Sequence, residues 1–106
     1  MSDEGPEILI VGAGPAGLTA ATYLARFRRR VLVADGGAPR ACWIPLSHNM
    51  PGFPSGITGD AILQRMTEQA TEYGAVIESG RVESLSRNGD GFIARLNGRD
   101  IPVRAV

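Results

Sequence analysis

Residues 8–17 read Ile8-Leu9-Ile10-Val11-Gly12-Ala13-Gly14-Pro15-Ala16-Gly17, and the first acidic residue beyond them is Asp35. Four consecutive apolar residues make the short unbroken run that a parallel strand covered on both faces requires. The run opens directly into the spacing G-x-G-x-x-G. In a strand-to-helix turn each glycine has its own task. Gly12 permits the tight turn, Gly14 lets backbone approach a diphosphate, and Gly17 lets the helix pack closely on the strand. The opening amides of such a helix carry about half a positive charge from aligned peptide dipoles, so they accept an anion without help from a basic side chain.

Pro15 suits an early helical position, where its missing N–H removes no hydrogen bond. Leu18, Ala21, Leu24 and Ala25 follow at helical spacing, and Arg26, Arg28, Arg29 and Arg30 stand at the far end, where cations complement the dipole. Val31, Leu32, Val33 and Ala34 form a second buried-type strand, with Asp35 at its carboxyl end, eighteen positions beyond Gly17. A carboxylate there can accept hydrogen bonds from an adenosine ribose and repels a 2′-phosphate, which favours FAD or NAD over NADP. The plainer alternative is a glycine-rich turn that binds nothing.

The chain has 106 residues, 43% of them hydrophobic, enough for one modest core and one domain. Eleven arginines balance eleven acids. A net charge of zero creates no global field favouring nucleic acid or an anionic membrane. No apolar run approaches the roughly twenty residues that span a bilayer, and residues 1–7 are polar and acidic, unlike a secretory signal. The expected compartment is the cytoplasm. The run Arg28-Arg29-Arg30 reads as a solvated helix end, with a phosphate or partner patch as the alternative. Cys42 is the only cysteine, so the chain contains no disulfide and no C-x-x-C pair. Beside Trp43 it reads as a small buried hydrophobe; beside a cofactor it would be reactive.

From Gly36 to Gly59 no period is sustained, and a loop of that length leaving the ribose end of a strand is expected to line a ligand. Arg40, His48 and Asn49 are its polar groups able to reach a flavin or phosphate, and His48 is the only histidine. The alternative for His48 is a hydrogen-bonded residue that orders the loop. Pro51-Gly52-Phe53-Pro54 predicts a rigid turn. Thr58 is placed to cap a helix over residues 60–73, with Ile62, Met66, Ala70 and Tyr73 on its inner face and Gly74 as its stop. Residues 75–78 predict a third parallel strand. Segments 82–87, 92–96 and 99–103, separated by Asn88-Gly89-Asp90-Gly91 and Asn97-Gly98, predict an antiparallel meander.

This order resembles the amino-terminal half of the FAD domain in flavoproteins with two dinucleotide-binding domains, and is most similar to the thioredoxin reductase-like family. The likeness is carried by Val11-Gly12-Ala13-Gly14-Pro15-Ala16-Gly17-Leu18-Thr19-Ala20-Ala21 and by the more discriminating Pro51-Gly52-Phe53-Pro54-Ser55-Gly56-Ile57-Thr58-Gly59. Ala70-Thr71-Glu72-Tyr73-Gly74-Ala75, Asp35-Gly36-Gly37-Ala38-Pro39-Arg40 and Ser47-His48-Asn49 add to it. The resemblance implies an α/β, Rossmann-like three-layer FAD-binding domain of parallel sheet, flanking helices and antiparallel β-meander. It implies that Gly12, Gly14, Pro15, Ala16 and Gly17 hold the FAD diphosphate and that Asp35, followed by Gly36, meets the adenosine ribose. Arg40, His48 and Asn49 would lie beside the ribityl chain or isoalloxazine, and the Val82 backbone beside the adenine. The implied activity is an oxidoreductase moving electrons between NAD(P)H, FAD and a disulfide, dithiol or other acceptor.

The family would continue past Val106 into a strand beside the first one, a nicotinamide-binding domain and any C-x-x-C. The expectation is therefore a truncated, partial FAD-binding domain over residues 1–106, with the nicotinamide-binding domain absent. An open edge on the first strand is expected to meet the remainder of a larger flavoprotein or a second copy. Two alternatives stand beside the reductase reading. One is a non-catalytic module that binds FAD or another adenine nucleotide, or only pairs with a partner. The other is a different FAD enzyme, such as a monooxygenase or amine oxidase.

Overall fold

Strands whose residues are apolar on both faces need a cover on each, and this chain supplies two different covers. The computed structural model describes residues 5–37 and 52–106. Among these, β1 (Ile8–Val11), α1 (Pro15–Arg26), β2 (Val31–Asp35), α2 (Gly59–Glu72) and β3 (Val76–Ser79) precede β4 (Val82–Asn88), β5 (Gly91–Leu96) and β6 (Arg99–Val103). The first three strands form a parallel sheet in the order β1-β2-β3, with Leu9 beside Leu32 and Val33 beside Ile77. The last three form the antiparallel meander that the two Asn/Gly turns predict.

Side chains alternate across each strand. One face of the sheet presents Leu9, Leu32 and Ala34 to Ala94, Leu96, Ile101 and Val103 of the meander. The other presents Val31, Val33 and the half-buried Ile10 and Ile77 to Ala21 and Ala25 of α1 and Ala70 of α2. Small residues on the helices allow the close approach. Leu18 and Leu63 join the two helices, with Met66 partly buried against them as expected. Tyr73 departs from expectation. It lies just past the last turn of α2 and is 47% exposed beneath the Arg26 guanidinium, while Leu63 takes the inner place.

Two carboxylates tie the layers together. Glu78 on β3 accepts from Arg99 Nη1 and Nη2 on β6 at 2.6 and 2.5 Å and from Asn97 Nδ2 at 2.9 Å. These donors hold its pKa at about 2, below the ordinary 4.5. Glu7, buried at the foot of β1, accepts from the Arg30 N–H at 3.0 Å, with the Arg29, Arg30 and Arg104 guanidiniums 3.4 to 3.8 Å away. The Arg30 N–H, followed by the guanidiniums of Arg30 and Arg29, lowers its pKa. The arginine run is exposed, as a solvated helix end should be, and two of its members are in addition engaged by a buried acid.

The outer edge of β1 is also less open than expected. The Arg104 N–H donates to the Glu7 carbonyl at 2.7 Å and the Leu9 N–H donates to the Ala105 carbonyl at 3.0 Å, so Ala105 pairs with Ile8 in parallel. The chain leaving β6 covers that edge as far as Leu9, and Val11 beyond it is 57% exposed. Arg40, Cys42, Trp43, His48, Asn49 and Pro51 lie outside the described residues.

A depressed carboxylate pKa stabilises the fold above the ordinary value, and that contribution disappears as pH falls through the depressed one. Glu78→Gln is therefore expected to lower the urea midpoint at pH 7. Its difference from the unaltered chain should shrink between pH 4.5 and about 2 as Glu78 protonates. Circular dichroism across that range measures both effects.

Candidate functional site

The two helices begin differently. α2 carries its own cap: Thr58 Oγ1 accepts from the Ala61 N–H at 3.1 Å, and Asp60 stands in the first turn. α1 begins at Gly14 with no side-chain cap and no acid in its first turn. The Leu18 N–H bonds to Gly14 O at 2.9 Å and the Gly12 N–H to Ala34 O at 2.9 Å. Among the described residues the amides of Ala13, Gly14, Ala16 and Gly17 find no partner. These donors, with the positive end of a twelve-residue helix behind them, face a cleft of about 600 Å³.

The cleft lies at the carboxyl ends of β1 and β2 and is lined by residues 11–17, 34–37 and 80–82. Its glycines divide their work as the sequence predicts. Gly12 has φ +108°, a conformation other residues rarely adopt. A β-carbon on Gly17 would run into the Gly12 carbonyl oxygen, so that position is fixed by the chain's own packing. Among the described residues a β-carbon on Gly14 would meet no atom within 4 Å. What glycine keeps clear at Gly14 is the space of the cleft itself, and the residues present therefore fit a bulky anion held by backbone.

Asp35 ends β2 at the rim. Its Oδ1 accepts from the Gly37 N–H at 2.9 Å, which orients the carboxylate, and among the described residues its other oxygen has no donor. Its carbonyl accepts from the Gly80 N–H at 2.8 Å, joining the loops after β2 and β3 into one wall. Gly12, Gly14, Pro15, Ala16, Gly17, Asp35, Gly36 and Val82 all line the cleft. Arg40, His48 and Asn49 lie outside the described residues. Sequence reasoning missed Gly80 and Arg81; only their place beside Val82 could have signalled them.

A second hollow of similar volume opens at the amino ends of β2 and β3, near Arg28, Arg29, Arg30 and Arg99. Arg29, Arg30 and Arg99 are engaged there with Glu7 and Glu78, so that hollow is a by-product of the layer contacts. Among the described residues no cluster of histidine, cysteine and acids could hold a metal ion, and no helix is long and apolar enough to cross a membrane.

The family described as NAD(P)-binding Rossmann-like domain matches residues 10–39. NADPH-dependent thioredoxin reductase 3 of Arabidopsis thaliana is 36% identical over 105 residues, covering 93% of this chain and 20% of that protein. The bifunctional thioredoxin reductase/thioredoxin of Mycobacterium leprae is 37% identical over 103 residues, covering 94% and 22%. The structure of a thioredoxin reductase from Gloeobacter violaceus superposes with a TM-score of 0.89 at 29% identity, over 94% of this chain and 34% of that one. The chain thus spans about a fifth of the length of these curated relatives and a third of that structure.

Gly17→Ala is expected to destabilise the fold by at least about 2 kcal/mol, because the obstacle is backbone. Gly14→Ala, extended at φ −80° and facing open space, should stay within about 0.5 kcal/mol of the unaltered chain. Urea unfolding without nucleotide separates the two.

Proposed function

We propose that this chain, a thioredoxin reductase-like Rossmann nucleotide-binding unit, holds FAD and is the amino-terminal part of the FAD-binding domain of a larger flavin oxidoreductase. The observation that carries the proposal is the start of α1, which has no side-chain cap and whose amides, unpartnered among the described residues, line a cleft beside Gly14. In this reading Gly12, Gly14, Pro15, Ala16 and Gly17 hold the diphosphate by backbone donation. Asp35 receives ribose hydroxyls on its free oxygen, and residues 36–37 and 80–82 enclose the base. Arg40, His48 and Asn49 remain the proposed neighbours of the flavin end.

The choice of FAD over NADPH rests on charge, and the choice of FAD over NADH, whose ribose is equally free, rests on the likeness to thioredoxin reductases. One of them is named as NADPH-dependent, yet a carboxylate at Asp35 repels a 2′-phosphate. NADPH would therefore bind elsewhere in a whole protein of this kind, leaving this cleft for a dinucleotide with a free ribose. Bound FAD would supply transfer of reducing equivalents between NAD(P)H and a disulfide, dithiol or other acceptor. The chain's own contribution is to bind and orient: its single cysteine provides no dithiol pair. We further propose a cytoplasmic setting and attachment to the rest of a flavoprotein, or to a second copy, along the exposed upper edge of β1.

The purified chain titrated with FAD is expected to gain a bound chromophore absorbing near about 450 nm that ADP displaces. Gly14→Ala, still folded, should bind roughly tenfold or more weakly because its methyl enters the diphosphate space. NADPH should compete poorly, and Asp35→Asn should narrow the gap between ADP and its 2′-phosphate. A folded chain that takes up neither FAD nor ADP overturns the proposal.

A further inference from the structure

Eight of the ten described arginines follow one of two habits. Arg29, Arg30, Arg95, Arg99 and Arg104 each lie within 4 Å of a carboxylate. Arg26, Arg65 and Arg87 instead stack over the rings of Tyr73, Phe53 and Phe92, with centroid distances of 5.5, 5.0 and 5.7 Å. Arg28 and Arg81 follow neither habit among the described residues; Arg28 stands at the far end of the sheet, whereas Arg81 sits beside Asp35 in the wall of the cleft.

Its position is fixed by its surroundings. A β-carbon on Gly36 would meet Arg81 Cγ at 3.2 Å and Nε at 3.9 Å, so the arginine stem crosses the bare backbone immediately after Asp35. The preceding Gly80 is held from one side by its N–H bond to the Asp35 carbonyl. On the other side a β-carbon there would run into the Asn97 amide. Asn97, held at φ +52° in the turn between β5 and β6, donates to the Ser79 carbonyl at 2.8 Å. The meander therefore braces the loop that presents Arg81. The carboxylate beside it does not capture the guanidinium: Asp35 Oδ1 takes the Gly37 N–H instead.

We propose that Arg81 lays its guanidinium over the purine base of the bound nucleotide, supplying from the chain the stacking partner that tyrosine and phenylalanine supply to Arg26, Arg65 and Arg87. The inference rests on the FAD reading above. With the diphosphate at residues 12–17 and the ribose at Asp35, the base falls between residues 36–37 and 80–82, against Arg81. A planar, delocalised guanidinium suits that face, whereas a lysine ammonium offers only a point charge. Gly36 is glycine, in this view, so that the stem can lie flat enough to reach it.

The test measures FAD and ADP affinity, by flavin fluorescence titration and ADP competition, for the full chain and for Arg81→Ala, Arg81→Lys and Arg81→Gln. Arg81 is exposed, and unchanged circular dichroism checks that the variants fold. Loss of stacking is expected to weaken both nucleotides roughly tenfold in Arg81→Ala, with little recovery in Arg81→Lys and a similar salt dependence throughout. Full recovery in Arg81→Lys would assign the side chain to a phosphate and overturn the proposal. Unchanged affinity in Arg81→Ala, while Gly14→Ala still weakens binding, would overturn it and leave the FAD reading standing. An unaltered chain that binds neither nucleotide overturns both.

Discussion

The contact between Gly17 and the carbonyl of Gly12 is the constraint on which the rest of the structure depends. With no side chain at Gly17, the first turn of α1 comes down onto the turn that leaves β1. That approach aims the helix axis at the carboxyl end of the sheet and points four amides into one cleft. It also sets the height at which Ala21 and Ala25 meet Val31 and Val33, so the helical layer and the cleft are fixed by the same close packing.

The layers are held together by apolar faces and by a small number of well-donated carboxylates. Glu78 joins β3 to β6, and Glu7 gathers the start of β1, the arginines before β2 and the chain leaving β6. Each acid has several donors, which is what makes burying or half-burying it tolerable. The Glu7 tie lies at the foot of the sheet, and the Glu78 tie reaches the cleft wall through Asn97, which also holds the Ser79 carbonyl beside Gly80. Among the described residues the cleft itself is lined by one carboxylate, one guanidinium and a row of amides.

Much of this was legible in the residues. The apolar runs at 8–11 and 31–34, the glycine spacing and Asp35 announce a βαβ unit, because parallel strands must be apolar throughout and the turn admits few alternatives. Thr58 and Gly74 bracket α2 for equally local reasons. Less legible was anything decided by distant parts of the chain. The fate of Arg29 and Arg30 depends on Glu7, more than twenty positions away, and the cover over β1 depends on Ala105. Tyr73 fits the helical period but falls where the helix has ended, so its ring stays in water under Arg26. Arg81 is invisible to periodicity because its importance comes from Gly36 and Asn97, which only the fold brings beside it.

The difference in how the two helices begin couples folding to occupancy. α2 is complete in itself, whereas among the described residues α1 has no cap for its leading donors, a part that a bound anion would play as Thr58 does for its neighbour. Any ligand seated there acts as a removable cap, and its affinity adds to the free energy holding the strand-turn-helix unit in place. Heat resistance of such a chain would then rise with the logarithm of ligand concentration, making the melting curve itself a gauge of saturation.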